Sequence, residues 1–152
     1  MKNDTTISIG VIGVGHLGNF HLKQLKEIPH ITISGIYDSD PIRAHEMSSQ
    51  HNVYSYSSLI ELINESDAVS IVTPTSTHFS VADEALNAGC HLFIEKPITN
   101  TFAEAEELIA LAKKHGVKGQ VGHVERFNPA FRAVASRIEN PMFIEAHRLA
   151  EF

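Results

Sequence analysis

The stretch that decides the fold is Ile7-Ser-Ile-Gly-Val-Ile-Gly-Val-Gly-His-Leu-Gly18. An apolar run, Ile7–Ile12, leads straight into a G-x-G-x-x-G hexapeptide, Gly13 to Gly18, which opens a helical pattern over His16–Lys26. Between a strand and a helix this hexapeptide has a physical reading. Gly13 permits the tight turn out of the strand, Gly15 carries no side chain and lets a pyrophosphate approach the backbone, and Gly18 lets the helix pack closely on the strand. The free N–H groups and positive dipole end of the helix, with His16 and Leu17 in its first turn, then face the phosphates. Asp38 ends the next apolar run and follows Gly18 by 20 residues, close to where the ribose-binding carboxylate of a dinucleotide site is expected.

Strand and helix patterns alternate outward from this stretch. A strand is predicted over Thr6–Ile12 and a helix over His16–Lys26, ended by Pro29. A second strand follows at Ile31–Tyr37, and Asp40-Pro41 then supplies an N-cap and a first-position proline for a helix to His51. A short strand is predicted at Val53–Tyr56, and Ser58-Leu-Ile-Glu61 has capping-box spacing for a short helix. The near-continuous apolar run Asp67–Val72 reads as a central parallel strand buried on both faces. A helix over Thr77–Ala88 stops at Gly89, and His91–Ile94 is the next buried strand. Thr101-Phe-Ala-Glu104 is a second capping box, opening a helix whose apolar face is Phe102, Ala105, Leu108, Ile109 and Ala112, ended by Gly116. Lys118–Val124 is the sixth predicted strand, with His123 as a structural histidine inside it. The alternation predicts an α/β fold: an open, doubly wound, mostly parallel sheet with right-handed crossovers.

Bulk properties narrow the function classes. The chain has 152 residues, 43% of them hydrophobic and 20% charged, which argues for a globular domain with a real core. A net charge of −6 disfavours nucleic-acid backbones and anionic membranes as partners. The one cysteine, Cys90, points to no disulfide framework. No signal-peptide pattern and no apolar run of membrane-spanning length is present, so a soluble cytoplasmic protein is expected. Ten histidines invite a metal reading, but none pair as H-x-x-x-H and none join Cys90 in a zinc pattern, so no metal site is expected.

Ligands of such sheets bind outside the carboxyl ends of the strands. Two predicted strands end there in Thr73-Pro74 and Glu95-Lys96-Pro97. The glycine loop, Asp38, Thr73-Pro74 with His78 after it, and Glu95-Lys96-Pro97 together resemble the glucose-fructose oxidoreductase/inositol dehydrogenase (Gfo/Idh/MocA) family, with its NAD(P)-binding Rossmann fold. The resemblance continues through Val121-Gly-His-Val-Glu-Arg-Phe-Asn-Pro-Ala130 and covers essentially the whole chain. Within the family this wording looks most like nucleotide-sugar dehydrogenases, such as those that oxidise a UDP-N-acetylhexosamine at its 3-position.

The resemblance implies hydride transfer to or from a sugar-like or nucleotide-sugar substrate. It places Lys96 beside the nicotinamide and the reacting hydroxyl, with Glu95 touching the nicotinamide ribose or Lys96; these two are the candidate catalytic residues. It adds Thr73, Pro74, His78, Glu95, Lys96 and Arg126 to the candidate cofactor contacts, beside Gly13, Gly15, His16, Leu17, Gly18 and Asp38. For His78 a polar role at a helix terminus is equally open, and Asn128-Pro129 is also a plain helix start. The family makes Lys96–Pro97 a candidate cis peptide. Asp38 followed by Ser39, with Arg43 on the next helix, argues for NAD over NADP, because a carboxylate binds both ribose hydroxyls and repels a 2′-phosphate.

Family members carry a second α/β domain, which implies a homo-oligomer for the full-length form. Residues 1–124 are therefore expected to be the dinucleotide-binding domain. Residues 125–152 are expected to hold a linking helix, Asn128–Ile138, and the first strand, 142–150, of a second domain that this chain carries only in truncated form. The competing reading is a non-catalytic NAD-binding or regulatory module.

Overall fold

The computed structural model describes residues 6–145 and 147. Its sheet is built from β1 (Ile7–Ile12), β2 (Ile31–Tyr37), β3 (Ala68–Ile71), β4 (His91–Ile94) and β5 (Gly119–Val121). The strands lie in the order β2-β1-β3-β4-β5, and every neighbouring pair is parallel. The helices between them are α1 (His16–Lys26), α2 (Pro41–His51), α3 (Leu59–Asn64), α4 (Thr75–Asn87) and α5 (Phe102–His115).

Alternation along β1 sends successive side chains to opposite layers. Val11 packs with Leu22 of α1, Ile36 and Met47 of α2. Its neighbour Ile12 packs with Leu62 and Ile63 of α3, Leu86 of α4, Leu108 of α5 and the strand residues Val69, Ile71 and Ile94. Helices thus cover both faces of the sheet, which is why its central strands read as unbroken apolar runs. Burying a side chain such as Leu22, fully enclosed here, contributes about 2 kcal/mol. Ile12, Ile71 and Ile94 pair across three strands. Gly13, Val72 and Glu95 therefore leave the sheet at one height, on the carboxyl edge.

Several local readings change. The strand expected over 53–56 reduces to one bridge between Ile36 and Ser55. There Ile36 donates its N–H to the Tyr54 carbonyl at 2.8 Å and accepts from Tyr56 N–H at 2.9 Å, and the chain then turns into α3. Ser58 caps α3 by position but makes no side-chain cap bond; burial of Leu62 and Ile63 holds that helix. The helix α4 starts at Thr75, two residues before its expected start, because Pro74 serves as its N-cap. The capping box of α5 forms in both halves, yet Phe102 and Ile109 are exposed and Leu108 alone is fully buried. The apolar face of α5 is therefore narrower than its sequence stripe. Strand β5 is shorter than Lys118–Val124. After Gly122 N–H donates to the Ile94 carbonyl at 2.9 Å the chain leaves the ladder, so His123 lies outside the strand and Val124 begins a 3-10 turn, Val124–Phe127.

The described chain divides into two compact units between Gly122 and His123. The second unit holds the 3-10 turn and α6 (Pro129–Ala135). Asn128 caps α6, its Oδ1 accepting from Ala130 N–H at 3.0 Å, with Pro129 at the first position. The helix is shorter than Asn128–Ile138. Of the strand expected over 142–150, residues 146 and 148–150 lie outside the described residues; 142–145 and 147 are not in a strand. No helix among the described residues is long and apolar enough to cross a membrane.

Candidate functional site: the cleft at the glycine loop

The three glycines of the hexapeptide do different things. Gly13 takes φ +85°, a backbone region that side chains strongly disfavour, and a Cβ on it would come within 2.9 Å of Thr73. Gly18 has no room either: its Cβ would lie 2.1 Å from the Gly13 carbonyl oxygen, so the helix rests directly on the turn. A Cβ on Gly15 would meet no protein atom within 4 Å. It would protrude into the cleft.

That cleft has a volume of about 620 Å³ and is lined by Gly13, Gly15, His16, Leu17, Asp38, Thr73 and Pro74. Seven of the residues singled out in the sequence thus line one cleft, joined by Arg43 and Thr77. Gly15 is the N-cap of α1, which has no side-chain cap and no acidic residue in its first turn. The first N–H groups of a helix lack intrahelical acceptors, and here they border the cleft.

Asp38 ties the cleft together. Its Oδ2 accepts from Val14 N–H at 2.8 Å and its Oδ1 from Asp40 N–H at 2.9 Å, while Gly13 N–H donates to the Tyr37 carbonyl at 2.9 Å. Each carboxylate oxygen keeps a lone pair for a further donor. Arg43 leans on Asp40, 3.7 Å from its Oδ2. The Thr73 hydroxyl oxygen is buried without a hydrogen-bond partner among the described residues. An open position at Gly15 and a carboxylate with spare acceptor capacity are what a dinucleotide's pyrophosphate and ribose would satisfy, so the residues present fit a nicotinamide dinucleotide.

The remaining expected residues stand elsewhere. Gly18 acts by packing. His78 is 1% exposed and both its ring nitrogens are held by backbone carbonyls, Nδ1 by Pro97 and Nε2 by Thr73, each at 2.9 Å. Of the two roles left open for it, this placement favours the structural one: the ring spans the loops after β3 and β4. Lys96 is exposed at the end of β4, and the Lys96–Pro97 peptide is cis. Glu95 precedes it, its Oε2 accepting from Lys96 N–H at 3.2 Å. Arg126 is exposed in the second unit.

Sequence reasoning missed a polar network. His21 of α1 places Nδ1 2.8 Å from Ser70 Oγ and Nε2 3.2 Å from Glu95 Oε1, with its ring edge-on to Phe93 at 5.5 Å. The signal was Ser70. A hydroxyl inside a buried apolar strand needs a partner, and His21, three residues beyond Gly18, sits on the helix that covers it.

Residues 7–123 match the GFO_IDH_MocA family model, described as an oxidoreductase family with an NAD-binding Rossmann fold. The UDP-N-acetylglucosamine 3-dehydrogenase of Acidithiobacillus ferrooxidans is 42% identical over 144 residues, 94% of this chain and 45% of that enzyme. Its solved structure superposes with a TM-score of 0.82 at 41% identity, over 87% of this chain and 43% of its own. The scyllo-inositol 2-dehydrogenase (NAD(+)) of Bacillus subtilis is 33% identical over 137 residues, 88% of this chain and 40% of the enzyme. The chain spans less than half the length of these relatives.

Proposed function

The chain belongs to the Gfo/Idh/MocA oxidoreductase family, and we propose that it is the cofactor-binding part of an NAD-dependent dehydrogenase acting on a sugar-like or nucleotide-sugar substrate. The observation that carries this reading is that Gly15, Asp38 and Thr73 line one cleft at the carboxyl edge of the sheet. Bound there, the cofactor would supply a hydride acceptor as NAD, or a hydride donor as NADH, for a substrate carbon. The chain's own residues do the rest. The start of α1 holds the pyrophosphate at Gly15, and Asp38 takes the ribose hydroxyls. Lys96, at the end of β4, orients the reacting hydroxyl and moves its proton; a lysine adjusts its pKa readily when a site closes.

Asp38 supports NAD over NADP, since a 2′-phosphate brought beside a carboxylate is repelled. Arg43 lines the same end of the cleft, but its guanidinium is turned to Asp40. The nucleotide-sugar class rests on the likeness to the A. ferrooxidans enzyme. A homo-oligomeric assembly belongs to the same reading.

The test is a fluorescence titration of this chain with NADH and NADPH. Saturable binding that prefers NADH supports the reading. Equal or preferential binding of NADPH overturns the cofactor assignment, and no binding of either removes the cleft as a working site in this chain. Turnover of a UDP-N-acetylhexosamine with NAD by the protein carrying the second domain separates the enzyme from a non-catalytic NAD-binding module.

A further inference from the structure

Glu95 is held from three sides. Its Oε1 faces His21 Nε2 at 3.2 Å, its Oε2 takes the Lys96 N–H at 3.2 Å, and behind it stands Gly122, where a Cβ would come within 2.8 Å of Oε1. The carboxylate is 13% exposed and the imidazole 18%. A carboxylate accepts, so the hydrogen on this side belongs to His21 Nε2. In the neutral ring Nδ1 is then an acceptor, and the Ser70 hydroxyl donates to it. Ser70, 2% exposed in the middle of β3, thereby fixes the tautomer that donates to Glu95. A Ser-His-Glu row invites a hydrolytic reading. A serine buried within a sheet cannot meet a substrate, which excludes it.

The network has a direction. His21 lies on α1, whose first turn borders the cleft and which Gly18 seats on the glycine turn. Glu95 lies directly before Lys96 and caps its backbone N–H. Helix α1 and the E-K-P loop are therefore joined through one imidazole. We propose that His21 is a positioning residue for Lys96, acting through Glu95, so that the helix that grips the cofactor also sets the place of the lysine. This rests on the role given to Lys96 above.

The experiment reads Lys96 itself. Acylation of its amine by acetic anhydride, followed against pH by mass spectrometry of the Lys96 peptide, gives a titration midpoint in the folded chain. In His21→Leu, Glu95 loses its imidazole partner, the loop that carries Lys96 is no longer held to α1, and the midpoint moves. His21→Gln, which keeps an N–H toward Glu95, restores most of it. In a Glu95→Gln background His21→Leu adds no further shift, the signature of action through that residue. An unchanged midpoint in folded His21→Leu, or a shift that adds to that of Glu95→Gln, overturns the proposal. Where His21→Leu does not fold, the imidazole ¹⁵N spectrum of the wild-type chain decides: the Nε2–H tautomer is required, and the Nδ1–H tautomer overturns it. Failure of NADH to bind the wild type counts against the cofactor reading and leaves the Lys96 cycle readable.

Discussion

His78 Nδ1 lies 2.9 Å from the carbonyl oxygen of Pro97. This joins the helix after β3 to the loop after β4. With Nε2 equally close to the Thr73 carbonyl, the imidazole is enclosed between two acceptors, to which a neutral ring donates one at a time. The clasp sets the spacing of two loops that end on the cleft's side of the sheet. Replacing His78 by Ala leaves a cavity and removes the one N–H the ring donates to these carbonyls. Such a change is expected to cost about 2–4 kcal/mol, measured by urea unfolding, and to weaken NADH binding without His78 touching the ligand.

Gly15 and Gly18 separate binding from folding. A Cβ on Gly15 meets no protein atom, whereas one on Gly18 meets the Gly13 carbonyl at 2.1 Å. Gly15→Ala is expected to change stability by no more than about 1 kcal/mol and to weaken NADH at least about tenfold, or about 1.4 kcal/mol. Gly18→Ala is expected to cost about 3 kcal/mol of stability and to lose the cofactor with the fold. Paired unfolding curves and NADH titrations check both.

Asp38→Ala removes both the expected ribose contact and the bonds from Val14 and Asp40. Hydrogen bonds to a charged acceptor are worth about 1.5–3 kcal/mol, so the Kd for NADH is expected to rise about tenfold to a hundredfold. NADPH, relieved of repulsion, is expected to weaken less, and the gap between the two narrows. An unchanged ratio of Kd values would count against Asp38 as the selector.

Acid sensitivity is expected from His51, buried at the end of α2. Its Nε2 donates to Asn19 Oδ1 at 2.7 Å, and Lys26 donates to its carbonyl at 2.6 Å. Burial, then the charges of Lys26 and Lys23, hold its pKa below the ordinary 6.5. The sign follows: the unfolded chain takes up a proton that the folded ring resists, so stability is intact above pH 6.5 and falls as pH drops below it. Urea midpoints from about pH 7.5 to about 5.5, where histidine titrates, should decline more steeply in the wild type than in His51→Gln.

Much of this was legible in the sequence because it is local. His16–Lys26, Ile31–Tyr37, Pro41–His51 and His91–Ile94 stand where glycine, proline, caps and apolar period placed them. Thr101 and Glu104 close the capping box their spacing implies, and the seven cleft residues from Gly13 to Pro74 meet because they follow parallel strands on one edge. The bridge at Ser55, the narrow face of α5 and the early start of α4 were not legible, since each depends on what lies across the sheet or at the next loop.

The sequence by itself determined the alternation of strands and helices around the glycine turn, the turn itself and the acid that faces it, since backbone sterics and chain spacing act over a few residues and need no partner. Only the tertiary structure decided what the polar side chains do. His78 and His21 differ little as letters in a chain of ten histidines. One is enclosed between two backbone carbonyls and the other is strung between Ser70 and Glu95. Their partners lie up to 74 residues away, and a buried polar group takes its role from whichever donor or acceptor packing brings within 3 Å or so.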